Sequence, residues 1–223
     1  LAARDRHAFA ALMLAHGHGD GLVTGATRKS AHVLDQINHV FDANAKGGAT
    51  GITALLHKGR IVLIGDTLVH EWPDATDLAN IAESGARVAR HLGLEPRVAF
   101  VSFSTFGYPV SERAEKMHMA PRALDDRGVD FEYEGEMTVD VALNAESQKN
   151  YPFSRLTGPA NVLVVPARHS ASISVKLMQE MAGATVIGPI LTGLDKSIQI
   201  ASSTSTTNDI LNMAILAACK VGG

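Results

Sequence analysis

Short runs of β-branched and aliphatic residues alternate with longer stretches in which apolar residues recur every three or four positions. That alternation restricts the chain to a sheet flanked by crossover helices. Ile52 to Leu56, Ile61 to Ile64, Val98 to Val101, Val129 to Tyr133, Val162 to Val165 and Val186-Ile187 read as strands. Only Lys58-Gly59 and one flanking residue on each side separate the first two, which makes them a hairpin and the sheet parallel or mixed. Ser30 reads as the cap of a helix whose buried face is Val33, Leu34, Ile37, Val40 and Phe41, and Gly47-Gly48 breaks the chain after it. Asp74 opens a long helix that aligns Leu78, Ile81, Gly85, Val88 and Leu92 and stops at Gly93. Further helices are expected over Glu112 to Leu124, Ile173 to Met181 and Asn208 to Lys220, the last burying Ile210, Leu211, Ala214, Ile215 and Ala218.

With 223 residues, 46% of them hydrophobic, the chain can build one large α/β domain or two lobes, each with a core. Its net charge of −3 comes from 20 basic and 23 acidic residues in scattered order, which argues against a nucleic-acid partner. No apolar run approaches the length of a membrane span, and Leu1 to Arg6 lack the order of a secretory signal. The lone Cys219 cannot form an internal disulfide and reads as a small buried hydrophobe. These features lead to the expectation of a soluble cytoplasmic protein without a membrane partner. The absence of an initiating Met leads to the further expectation that something is removed upstream.

His16 and His18 have a spacing that can bind metal, but no third ligand follows at a characteristic interval, so no metal site is assigned. The Gly17, Gly19, Gly21 and Gly25 series lacks the acidic residue that a dinucleotide fingerprint needs about twenty positions on.

A set of motifs in fixed order points further. These are Asp20-Gly21-Leu22-Val23-Thr24-Gly25, Gly65-Asp66 with Glu71-Trp72-Pro73, Glu95-Pro96-Arg97, Ser102-Phe103-Ser104-Thr105 and Gly135-Glu136-Met137. Gly158-Pro159-Ala160-Asn161-Val162 and Gly188-Pro189-Ile190-Leu191-Thr192-Gly193 complete the series. In these the chain resembles the phosphate acetyltransferases. In Thr24-Gly25-Ala26-Thr27-Arg28, Thr67 to Glu71, Ser111-Glu112-Arg113, Tyr151-Pro152-Phe153 and His169 to Ser174 it resembles the C-terminal phosphotransacetylase-like domain of bacterial NADP-dependent malic enzymes. The resemblance implies a two-lobed, three-layer αβα fold related to the isocitrate and isopropylmalate dehydrogenases. Residues 48–193 would form the second lobe, and residues 1–47 with 194–223 what remains of a first lobe shortened at its N-terminus. It also implies a homodimer through this domain, within a higher homo-oligomer of the parent protein. Malate oxidation, NADP and a divalent metal would belong to an absent domain, and this domain would carry no cofactor of its own.

Acetyl transfer between CoA and phosphate requires cations to hold the phosphate, a base for the thiol, and donors for the developing oxyanion. The family's Ser and Asp fall here on Ser202 and Asp209, whereas its two Arg positions are taken by Ser203 and Asp35. Loss of one aimed donor typically costs about 2.7–4 kcal/mol in a transition state, so transferase activity is expected to be close to absent. Binding an acyl-CoA makes a different demand, for local positive charge and backbone N–H groups. Thr24, Gly25, Thr27 and Arg28 are the candidate phosphate cradle, and Lys196 with Ser202 the candidate opposite wall. Asp209 also has a simpler reading, as a first-turn partner of the helix dipole. The expected role is a regulatory module with acetyl-CoA as effector. A working phosphate acetyl- or butyryltransferase and a purely structural dimerisation domain are the rival expectations.

Overall fold

The computed structural model describes residues 5–41, 48–110 and 112–221, with the backbone but not the side chains of 112 and 113. The break expected at Gly47 lies outside the described residues. The chain runs α1 (Arg6–Ala15), β1 (Gly21–Gly25), α2 (Ser30–Asn38), β2 (Thr50–His57), β3 (Arg60–Gly65), α3 (Ala75–His91), β4 (Arg97–Val101) and α4 (Glu112–Arg127). It continues with β5 (Glu132–Met137), α5 (Val139–Leu143), α6 (Ala145–Gln148), β6 (Val162–Val164), α7 (Arg168–Ala182), β7 (Thr185–Thr192), β8 (Ser197–Ala201) and α8 (Thr207–Ala218).

Six strands form one mixed sheet in the order β5-β4-β6-β3-β2-β7. β3, β6, β4 and β5 are parallel, while β2 pairs antiparallel with both β3 and β7. The β2–β3 hairpin forms as expected. Lys58 and Gly59 both adopt positive φ, the turn geometry whose twist matches that of the flanking strands. Alternation along the strands sends Ala54, Leu63, Val98, Phe100 and Val162 to one face under α3, α4 and α8. Leu55, Ile64, Ala99, Val101 and Leu163 go to the other face under α5 and α7. The result is a three-layer αβα arrangement. A separate parallel pair, β1 and β8, packs with α1 and α2 around Ala11, Leu14, Val33, Ile37, Ile198 and Ile200.

The long helix α3 follows its sequence closely. Asp74 accepts from Asp77 N–H while the Asp77 side chain accepts from Asp74 N–H, a reciprocal cap. Gly85 lets the helix approach the sheet, because a Cβ there would stand 2.5 Å from Val162.

Other expectations need correction. Ser30 does not cap α2; Lys29 occupies that position without a side-chain hydrogen bond. The strand expected at Val129 to Tyr133 lies three residues further on, at Glu132–Met137. Its buried residues include Glu134 and Glu136, so two paired carboxylates conceal the apolar alternation, while Val129 and Phe131 pack against the core ahead of the strand. On α8 the buried residues are Met213, Leu216 and Ala217, and the expected stripe of Ile210, Leu211 and Ile215 is exposed. A helix that is apolar on several faces cannot reveal by periodicity which face meets the sheet. Cys219 ends that helix and is exposed, not buried. α1, β1, β8, α5 and α6 were not anticipated as elements.

Candidate functional site

A cleft of about 320 Å³ opens where the two sheets meet. α7 supplies one wall through Ser172, Val175, Lys176 and Gln179, which follow one another at helical spacing on a single face. The end of β8 and the start of α8 supply the other wall through Ser202, Thr204, Ser205 and Asp209. Between them lie Gly188-Pro189 of β7 and the hydroxyls of Thr53 and Thr67.

Each wall is held by a specific device. β2 shifts its register against β7 between Ile52 and Ala54, at the residue whose side chain reaches the cleft, Thr53. Thr53 Oγ1 lies 2.8 Å from Thr67 Oγ1, which in turn donates to Gly51 O at 3.1 Å, so the Thr53 hydroxyl donates to Thr67 in a short relay. The turn carrying Thr67 is organised by Asp66, only 2% exposed. Its carboxylate accepts from the backbone N–H groups of Gly51, Leu68, Val69 and His70, and from His70 Nδ1 at 2.7 Å. The hydrogen bond to Asp66 is the main reason that the His70 pKa is raised, outweighing burial, which opposes it. On the far wall Thr206 and Asp209 form a reciprocal cap at the start of α8. Thr206 N–H donates to Asp209 Oδ2 at 2.7 Å, and Asp209 N–H donates to Thr206 Oγ1 at 3.2 Å. Asp209 therefore serves the helix start and lines the cleft at once. Ser202 Oγ is 3.1 Å from Thr204 Oγ1.

The residues singled out in the sequence are distributed unevenly around this cleft. Ser202 and Asp209 line it. Thr24 and Gly25 end β1 beside it, since Gly25 is in register with Ala201, the residue before Ser202, and Ala26 N–H donates to Ala201 O at 2.8 Å. Gly25 has φ +108, and a Cβ there would lie 2.2 Å from Ala201 O, so only glycine fits this approach. Thr27 N–H donates to Gly25 O, and Arg28 is exposed without a hydrogen-bond or ion-pair partner among the described residues. Lys196 is not brought to the cleft. It precedes β8 while Ser202 follows it, and six steps of extended chain place them roughly 20 Å apart. Ser203 is exposed outside the lining, and Asp35 sits on α2 beside Gln36 and His39.

Among the described residues no arginine lines the cleft, and its single cation is Lys176, which has no hydrogen-bond or ion-pair partner among them. Sequence reasoning missed Lys176 because α7 carries no motif marking it; only the folded position of α7 against β8 makes it a cleft residue. Arg168 is engaged elsewhere, donating to Leu68 O at 3.2 Å and standing 3.7 Å from Glu71. His16 and His18 lie in the exposed α1–β1 connection, and among the described residues no three His, Cys, Asp or Glu side chains gather as an ion would require. No helix among them is long and apolar enough to cross a membrane.

A mixed six-stranded sheet, a second parallel pair and a hydroxyl-rich cleft at their junction define a phosphotransacetylase-type α/β domain. The fold is that of a phosphotransacetylase from Streptococcus pyogenes, with a TM-score of 0.91 and 27% identity over 98% of this chain and 68% of that one. The chain belongs to the phosphate acetyl/butaryl transferase family, whose profile it matches over residues 2–218. It is 51% identical over 218 residues to an NADP-dependent malic enzyme of Rhizobium meliloti (strain 1021), covering 98% of this chain. It is also 39% identical to a probable NADP-dependent malic enzyme of Rickettsia prowazekii (strain Madrid E), covering 96%. The chain spans 29% of the length of each of these two relatives.

Proposed function

We propose that this chain is a regulatory, acetyl-CoA-binding phosphotransacetylase-like domain of an NADP-dependent malic enzyme, and that it transfers no acetyl groups itself. In this reading acetyl-CoA binds in the cleft between α7 and α8 and lowers the parent's oxidative decarboxylation of malate to pyruvate. NADP and a divalent metal serve that reaction on a part of the parent outside this chain. The assembly is a cytoplasmic homodimer through this domain, within a larger homo-oligomer.

The observation that carries the reading is the charge of the cleft. Ser202 and Asp209 are retained, but among the described residues no guanidinium accompanies them, and one lysine ammonium stands where a doubly charged phosphate would need fixed, forked donors. A compact ammonium on a flexible stem suits attraction of a phosphate-bearing ligand better than precise orientation of a nucleophile. The hydroxyls of Ser172 and Ser202 supply neutral donors along the cleft, and its volume lies at the small end of ligand sites, roughly 300–1,000 Å³. For binding to regulate, the effector must favour one of two states of the assembly.

Two measurements on the intact parent test this. Malate turnover with and without acetyl-CoA should show inhibition, and a coupled assay for acetyl phosphate should show no turnover. Sustained acetyl phosphate formation would make the chain a working transferase. No calorimetric heat and no thermal protection with millimolar acetyl-CoA would reduce it to a dimerisation scaffold.

A further inference from the structure

α1 grips the β1–α2 connection at two points. His7, only 2% exposed, places Nδ1 2.7 Å from the hydroxyl of Thr24, the next-to-last residue of β1. Two residues earlier, Asp5 uses Oδ1 to cap α1 at His7 N–H and Ala8 N–H, and holds Oδ2 3.1 Å from His32 Nε2 in the first turn of α2. The connection between these anchors contains Gly25 at φ +108 and Ala26 at φ +61, backbone that a β-carbon disfavours. A turn of this kind persists only where its surroundings hold it, and the hydrogen bond from His7 to Thr24 is the buried part of that hold.

We infer that His7 is a positioning residue: its neutral imidazole fixes Thr24 and thereby sets the Thr24–Arg28 turn beside Ser202, so that ligand affinity at the cleft depends on the charge state of a side chain that never touches the ligand. The inference rests on the acyl-CoA reading of the cleft given above.

The chemistry of the buried ring supports it. Among the described residues His7 Nε2 has no hydrogen-bond partner, and it is shielded from water. With Nδ1–H donating to Thr24 Oγ1, the neutral ring leaves only an acceptor lone pair at Nε2; an imidazolium would leave a buried N–H donor there, so protonation favours a ring that has left its pocket and released Thr24. The charged groups facing the ring are Asp5 and Arg6 on α1, Arg28 in the turn, and His32, whose ring meets that of His7 edge-on at 6.4 Å. Burial dominates and lowers the His7 pKa below 6.5; the attraction of Asp5 opposes it, and Arg6, His32 and Arg28 reinforce it. Against the upward push of burial, the hydrogen bonds from His32, Ala8 and His7 pull Asp5 down to about 2, so it stays a carboxylate throughout the range in which imidazoles titrate. Because the folded pKa of His7 is depressed, its contribution is complete above the unfolded value of 6.5 and is lost as pH falls through the folded value.

The test uses acetyl-CoA titrations of the intact protein at two pH values, one above and one well below 6.5, with wild type, His7→Asn and His7→Leu. Asn keeps a polar partner for Thr24 and cannot ionise. It should bind within about twofold of wild type at the higher pH and retain that affinity at the lower one, while wild type weakens about fivefold or more, the equivalent of one hydrogen bond. Leu, which leaves Thr24 unpartnered, should bind about fivefold to tenfold more weakly at both. Amide exchange at Ala26, whose N–H is bonded to Ala201 O, gives a readout without ligand: acidification should lower its protection, relative to the intrinsic exchange rate at each pH, in wild type and not in His7→Asn. A shared pH profile for wild type and His7→Asn in both readouts would overturn the inference, as would wild-type binding by His7→Leu. Absence of acetyl-CoA binding in wild type, with the exchange difference intact, would instead sink the acyl-CoA reading and leave the grip of His7 on the turn standing.

Discussion

Replacement of Asp66 by Asn isolates the device that holds the floor of the cleft. The Asp66 carboxylate takes Gly51 N–H at 2.9 Å, Leu68 N–H at 2.7 Å and Val69 N–H at 3.1 Å on one oxygen. The other oxygen takes His70 N–H at 2.8 Å and His70 Nδ1 at 2.7 Å. An amide must turn its NH₂ toward one of these two groups of donors. The less costly choice faces His70, whose ring can change tautomer and accept, but whose backbone N–H is then left without a partner. At 2% exposure no solvent replaces it. One orphaned buried donor costs about 1–3 kcal/mol and loss of a charge-assisted bond about 1.5–3 kcal/mol, so about 2.5–6 kcal/mol is expected in all. With a urea slope of about 2–3 kcal/mol/M, the unfolding midpoint should fall by about 1–3 M.

The assay is urea unfolding followed by far-UV circular dichroism and by fluorescence of Trp72, the only tryptophan, two residues beyond His70. A pH series adds a second criterion. The folded pKa of His70 is raised, so its stabilising contribution is complete below 6.5 and disappears as pH rises through the folded value. That slope should be present in wild type and clearly reduced in Asp66→Asn, where only Asp77 and Asp74 still favour the charged ring. A midpoint within about 0.3 M of wild type, a difference worth less than 1 kcal/mol, together with an unchanged pH slope, would refute the reasoning.

Gly25→Ala should destabilise by about 2–4 kcal/mol, from strain at positive φ plus forced separation of β1 from β8, and should weaken acetyl-CoA binding; thermal melts and calorimetry read the two effects. Glu136 is fully buried and accepts from Ser104 Oγ at 2.9 Å and Gly107 N–H at 2.8 Å, with His118 Nδ1 at 3.0 Å. Burial pushes its pKa up, but the hydrogen bonds from Gly107, Ser104 and His118 outweigh it and the net shift is downward, so its contribution is complete above 4.5 and is lost as pH falls through the lowered value. Glu136→Gln, able to face its NH₂ toward His118, should cost only about 1–2 kcal/mol at neutral pH and show a shallower acid-unfolding profile than wild type.

The extent to which the chain declared itself varies from element to element. α3 could be read from Asp74 to Gly93 because its cap, its apolar face and its stop are all local chemistry. The β2–β3 hairpin was equally legible, since two strand-forming runs and a Lys-Gly turn demand one register. β5 was misplaced because its buried carboxylates are tolerable only with partners from distant segments, Ser104, His118 and Arg155. α8 was recognised as a helix but oriented wrongly, because its apolar residues outnumber those that the sheet covers.

The same division holds at the site and is the main lesson of this chain. The glycine turn at Gly25 was visible because a local motif carries it, whereas Ser202 and Asp209, and the loss of arginine at Ser203 and Asp35, were placed by the resemblance to the family. Which cation lines the cleft could not be read. Lys176 lies on α7 and Ser202 just beyond the end of β8, and only the packing of those elements makes them two sides of one cleft. Lys196, nearer to Ser202 in sequence, is carried away from it by the extended strand between them. Chain propensities act over a few residues and therefore determine caps, turns and periodic faces. Proximity between side chains on different elements arises from burial of the shared core, a property of the whole chain that no single segment encodes.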